Sequence, residues 1–102
     1  MMIIYNVTTK VHPAIEEAWL AWLTEEQIPS ILETRCFITA TVARLLEVDE
    51  TDGPTFTVQF KAESKALYNQ YIEKYSARIS KVSFEKWGDR FISFRSVMQV
   101  VN

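Results

Sequence analysis

Glycine is scarce in this chain: Gly53 and Gly88 are the only two among 102 residues. A phosphate-cradling loop needs several backbone positions without a Cβ, so a Gly-rich nucleotide motif is excluded. Histidine is scarcer still, His12 standing alone before Pro13 at a strand-to-helix turn. One such residue supports no Ser/His/Asp set, no nucleophile elbow and no histidine-based metal site, so it reads as a surface residue and no metal is expected. The single cysteine, Cys36, has no partner for an intrachain disulfide, which fits a reducing compartment. Beside Phe37 and Ile38 it is expected to be a small buried hydrophobe.

Charge of one sign and long apolar runs are also missing. Eleven basic against thirteen acidic residues leave a formal charge of −2, and Lys61, Lys65 and Lys74 are interleaved with Glu63 and Glu73. No basic patch is available to neutralise phosphates, so nucleic acid is excluded as a partner. No apolar stretch approaches the ~18 residues a bilayer demands, so no membrane partner is expected. Residues 1–7 carry no basic region and run directly into a strand pattern, so a cytoplasmic location is expected. Glu16 with Glu17 and Glu25 with Glu26 are adjacent carboxylates, but neighbours on a helix point in different directions, and they read as solvated charges.

What the chain does contain is alternation. Over residues 2–11 the odd positions Ile3, Tyr5, Val7 and Val11 are apolar, while Asn6, Thr8 and Lys10 are polar. This is the two-residue period of a strand. Pro13 suits a first helical turn, and Ile15, Trp19, Trp22 and Leu23 follow at helical spacing opposite Glu16, Glu17 and Glu25. Pro29 lacks an amide proton and disfavours helical geometry at Ile28, so a break is expected over residues 27–30. Residues 37–48 are rich in β-branched and small side chains, with apolar ones at both parities, as in a strand covered on both faces.

Residues 49–54 are the one concentrated turn signal, with Asp52 and Gly53 ahead of Pro54, and Phe56, Val58 and Phe60 alternate with Thr57, Gln59 and Lys61 after it, which completes a hairpin. Ser64 is placed to cap a second helix with the stripe Leu67, Tyr71, Ile72, Tyr75, Ile79 and Val82, and Gly88 marks its end. The last strand, residues 90–101, puts Ile92, Phe94, Met98 and Val100 on one face and Ser93, Arg95, Val97 and Gln99 on the other.

The order β-α-β-β-α-β defines an α+β ferredoxin-like domain with a four-stranded antiparallel sheet, taking in residues 1–102 as one unit. Two helices cover only one face of such a sheet, yet the strands are partly apolar or uncharged on both. A second surface is therefore expected over the other face, most simply a homodimer through sheet faces, with Thr57, Gln59, Ser93 and Val97 among the covered residues.

Several segments together resemble a known family. They are Ile3-Ile4-Tyr5-Asn6-Val7-Thr8, the pair Trp19 and Trp22 ahead of Glu25-Glu26-Gln27-Ile28-Pro29, and Trp87-Gly88-Asp89-Arg90-Phe91 with Phe94-Arg95. The chain resembles, over nearly its full length, the uncharacterised bacterial family known as domain-of-unknown-function family 4286. The resemblance implies a dimeric α+β barrel in which two ferredoxin-like subunits pack sheet against sheet. It brings no established catalytic residues, and members often carry a histidine where this chain has Gln27.

The remaining candidates for chemistry are aromatic. Trp19, Trp22, Tyr71, Tyr75 and Trp87 could line a pocket between helices and sheet for a flat apolar ligand, although at helical spacing such residues usually form the core. Cofactor-independent monooxygenases on this type of barrel activate electron-rich aromatic substrates with an asparagine, a tryptophan or a tyrosine, which makes Asn6 a candidate. Haem-degrading relatives need an axial histidine on the second helix, and residues 64–86 have none, so no cofactor is expected. Arg95 is placed on the partner-facing side of the sheet, where it either pairs with a carboxylate such as Glu47 or with backbone carbonyls, or holds an anionic ligand. The ligand-binding candidates are thus Asn6, Trp19, Trp22, Tyr71, Tyr75 and Arg95, for a small apolar or anionic ligand. The expected function is a non-catalytic domain that binds a small molecule or a protein; the alternative is a cofactor-independent monooxygenase or isomerase acting on a small aromatic substrate.

Overall fold

The computed structural model describes residues 1–102. The four alternating segments are strands: β1 (Ile3–Val11), β2 (Thr39–Arg44), β3 (Thr55–Ala62) and β4 (Phe91–Gln99). They form one sheet in the order β2-β3-β1-β4, and each neighbouring pair is antiparallel. β1 and β2 therefore run parallel with β3 between them, which is the split βαβ arrangement of a ferredoxin-like α+β fold.

Register decides which residues meet the helices. Tyr5 stands opposite Phe60 and Val7 opposite Val58, so the odd residues of β1 share a face with the even residues of β3. Ile3, Tyr5, Val11, Phe56, Phe60 and Ala62 on that face are each at most 4% exposed. Burying a side chain the size of valine or phenylalanine contributes about 1.5–3 kcal/mol, so this face carries much of the folding free energy.

The first helical stretch opens with a 3-10 turn, Pro13–Ile15, where His12 Nδ1 accepts from the Ala14 N–H at 3.0 Å. α1 (Glu16–Trp22) leads into a π turn, Leu23–Gln27, and then into α2 (Ile28–Leu32). The break expected over residues 27–30 does not occur. Gln27 and Ile28 keep right-handed helical dihedrals, and the Ile28 N–H donates to the Leu23 carbonyl five residues back. The widened turn makes Pro29 an opening residue of α2, where a missing amide proton costs little.

The second stretch is two helices, α3 (Lys65–Lys74) and α4 (Ser76–Trp87), parted at Tyr75, whose backbone (φ −127°, ψ −31°) is not helical. Ser64 caps α3 by accepting from the Leu67 N–H at 3.2 Å. Gly88, at φ 63°, ends α4. The interruption rotates the buried stripe: Tyr71, Ile79 and Ser83 are buried, whereas Ile72 and Val82 are 36% and 48% exposed. Cys36 is buried, as a small hydrophobe there should be.

β2 is shorter than its pattern, and Leu45, Leu46 and Val48 are exposed beyond it. Arg44 pins the following loop by pairing with Glu50 at 2.7 Å and with Glu16 at 3.3 Å. Gly53 closes the loop at φ 122°, where an added Cβ would lie 1.9 Å from the Val11 carbonyl oxygen.

β4 presents the opposite faces from those its neighbours were expected to see. Val7 stands opposite Arg95 and Thr9 opposite Ser93, which turns Ser93, Arg95 and Val97 toward the helices. Ile92, Phe94 and Met98 look outward, 55%, 64% and 41% exposed. An edge strand with apolar residues at both parities takes its facing from the register with its neighbour rather than from its own pattern. Thr57 and Gln59 do face outward, with Asn6, Thr8 and Thr41. Lys10 and Lys61 mark opposite ends of this uncovered face. No helix is long and apolar enough to cross a membrane.

Candidate functional site

Between the sheet and the helices lies a partly enclosed cavity of about 90 Å³. Tyr5, Val7, Val58 and Phe60 form much of its floor; Trp19, Leu23, Ile31, Tyr71 and Ile79 form its roof. Into these apolar walls project Thr9, Gln27, Ser80, Ser83, Ser93 and Arg95. They are paired across elements. Ser83 Oγ of α4 donates to Gln27 Oε1 of the π turn at 2.7 Å, and the hydroxyls of Thr9 and Ser93 lie 2.8 Å apart across β1 and β4. Arg95 Nη2 donates to Ser80 Oγ at 2.7 Å.

Tyr5 and Tyr71 sit side by side, ring centroids 5.7 Å apart. Burial raises the proton affinity of both phenols, and for Tyr71 the neighbouring Tyr5 raises it further. The positive charge of Arg95 opposes the shift at each, without overcoming it. Both hydroxyls are thus neutral near pH 7, able to donate hydrogen bonds and unsuited to take up a proton.

The aromatic candidates divide. Trp19 and Tyr71 line the cavity and are buried, Trp19 packing on Phe56 at 5.7 Å. Trp22 meets Trp87 edge-on and lines a second depression of about 190 Å³ with Glu26, Ser30 and Arg78. Gln27 and Ile79 belong to the walls of both hollows. Tyr75 lines neither; half-buried at the interruption between α3 and α4, it stacks on Tyr71 and carries the Arg78 guanidinium 5.9 Å from its ring centroid.

Asn6 is not with the aromatics. It lies on the outer face, where its Nδ2 donates to Thr8 Oγ1 at 3.0 Å, because an even position of β1 points away from the helices. Arg95 is in the cavity wall instead of on the outer face, and its partner is Ser80 rather than Glu47 or any other carboxylate. Thr9, Ser80 and Ser83 carry no expectation from the sequence, and Ser93, expected on the dimer face, faces the cavity instead. One signal was available: Ile79, Ser83 and Trp87 recur every four residues, so a serine sits where the stripe calls for an apolar side chain. No three His, Cys, Asp or Glu side chains converge as a metal site would require.

Fold and cavity together define a ferredoxin-like α+β protein with a hollow between its two layers. Residues 2–101 match the family model described as Domain of unknown function (DUF4286), and the chain belongs to that family. No curated protein matches the sequence. Among solved structures, a dimeric ferredoxin-like protein from an uncultured marine organism is similar at TM-score 0.75 and 10% identity, over 99% of this chain and 96% of that one. An ethyl tert-butyl ether d (ethd) family protein from Bacillus halodurans is similar at TM-score 0.71 and 10% identity, over 99% and 100%. SnoaB, a cofactor-independent oxygenase from Streptomyces nogalater, is similar at TM-score 0.69 and 9% identity, over 99% and 94%. At these identities the likeness is one of fold.

Proposed function

We propose that residues 1–102 form one small-molecule-binding domain that works as a homodimer, with the cavity between sheet and helices as its binding site. The observation that carries this reading is the wall of that cavity. Ser83 and Ser93 occupy layer-facing positions where larger apolar side chains would close the hollow and stabilise the fold. Hydroxyls there leave space and supply hydrogen-bonding groups, the combination a small-molecule site needs. A panel of small molecules screened by thermal shift should raise the Tm of the parent and leave that of a cavity-filling Ser83→Leu variant unchanged. Equal shifts in both proteins would contradict the reading.

The homodimer rests on the outer sheet face. Its central strands present the uncharged Asn6, Thr8, Thr57 and Gln59, its edge strand β4 presents Ile92, Phe94 and Met98 to solvent, and covering apolar side chains of this size contributes about 1.5–3 kcal/mol each. A second copy brings the same face by two-fold symmetry, and a structural relative is itself described as dimeric.

The fold of SnoaB supports a second reading, a cofactor-independent oxygenase or isomerase acting on a small aromatic substrate. The cavity weighs against it. It is lined by no histidine or carboxylate, and the phenols of Tyr5 and Tyr71 hold their protons too tightly to act as a base near neutral pH. Binding without catalysis is the reading the lining residues favour.

A further inference from the structure

Arg95 is a cation in the cavity wall without an anion. The chain's two ion pairs both belong to Arg44, and the one hydrogen bond of the Arg95 guanidinium goes to Ser80, a neutral hydroxyl. A guanidinium offers five N–H donors in a planar fork, and because Arg95 is exposed at the rim of the cavity its remaining donors are open to solvent or to a ligand entering there. It does not point toward the proposed dimer face, because its register partner Val7 faces the helices. A carboxylate of a second copy docked on the outer face is therefore not what it is built to meet.

We propose that Arg95 and Ser80 form the anion-binding end of the cavity and that its ligand is a small monocarboxylate whose apolar body lies against Tyr5, Tyr71 and Trp19. The inference rests on the reading of the cavity as a small-molecule site and adds the class of ligand. One guanidinium and no lysine line the hollow, which balances a single negative charge and falls short of a phosphate dianion. The planar fork matches the two oxygens of a carboxylate. Size sets the rest. A cavity of about 150 Å³ holds benzene, so one of about 90 Å³ takes a body of roughly four carbons. Tyr5, Tyr71 and Arg95 line the same hollow, and the charge of Arg95 acts on both neutral phenols.

The test compares 3-methylbutanoate with its neutral isostere 3-methylbutanamide, by titration calorimetry on the intact protein at neutral pH. The parent should bind the acid about tenfold more tightly than the amide, a charge-assisted pair being stronger than a neutral one. Arg95→Met should bind both equally, at the parent's affinity for the amide; Arg95→Lys should keep part of the preference. Ser80→Ala should weaken the acid and spare the amide, which keeps the proposal falsifiable if Arg95→Met does not fold. Equal binding of acid and amide by the parent would overturn the anion subsite while leaving the cavity as a binding site, and so would a preference that survives in Arg95→Met. Binding of neither compound by the parent would overturn both this inference and the cavity reading beneath it.

Discussion

Val7 and Arg95 stand directly opposite one another across β1 and β4, and this one pairing turns the arginine toward the helices. It also turns Phe94 outward, between Thr8 on its own face and solvent. The ligand-side cation and the apolar surface of the outer face are thus two results of a single register.

Gln27 and Ser83 tie the π turn to α4 through a 2.7 Å hydrogen bond at the cavity wall. Gln27→Ala leaves a buried hydroxyl without its acceptor and should cost about 1–3 kcal/mol. Adding Ser83→Ala removes the orphan, so the double variant should be destabilised by less than the sum of the two single variants. A double-mutant cycle from urea unfolding should give a coupling of about 1 kcal/mol or more, and additive losses would show that the pair contributes nothing.

Trp19 and Tyr75 both read as core residues in the sequence, but they differ in burial. Trp19 is 4% exposed and packed on Phe56, so Trp19→Ala should cost about 3–5 kcal/mol. Tyr75 is half-buried at a helix interruption, and Tyr75→Ala should cost clearly less, about 1–2 kcal/mol. Denaturant melts giving equal losses would contradict the placement of Tyr75.

Much of the architecture was legible because it depends on local signals. Ser64 caps a helix, Gly88 ends one, and Gly53-Pro54 closes a loop wherever the rest of the chain lies. The parts that were not legible depend on contacts between distant residues. Nothing in residues 90–101 alone says that Arg95 pairs with Val7, and so the arginine was placed on the wrong face. The same holds for Asn6, whose distance from Trp19 and Tyr71 follows from the parity of β1 relative to layers that its own segment does not define. Pro29 misled for a different reason: the π turn before it supplies an extra residue, which no propensity at residues 27–30 encodes. Ser80 and Ser83 look like surface residues until the interruption at Tyr75 has set the phase of α4, and Ser93 takes its facing, like Arg95, from the register of β4 with β1.

Tyr5 and Tyr71 give stability an alkaline edge. Burial raises their proton affinity in the fold above the ordinary phenol value of about 10, so above that pH the unfolded chain loses protons that the native state retains. The native state then binds more protons than the unfolded one, and stability falls as pH rises. The contribution is complete below about pH 10 and is lost through the folded-state values above it. Tyr71→Phe should therefore lose less stability than the parent between about pH 9 and about pH 11. Chemical melts showing parallel pH dependence for the two proteins would contradict the burial of this hydroxyl.

Sedimentation velocity of the parent beside Phe94→Asp tests the proposed assembly most directly. Phe94 is 64% exposed on one protomer, on the outer face of the edge strand β4 opposite Thr8, where the homodimer would bury it. The parent should sediment as a dimer at micromolar concentration. Phe94→Asp, whose charge would be buried without a partner, should sediment as a folded monomer with the far-ultraviolet dichroism of the parent. A monomeric parent, or a dimer that survives the aspartate, would contradict a homodimer built through the sheet faces.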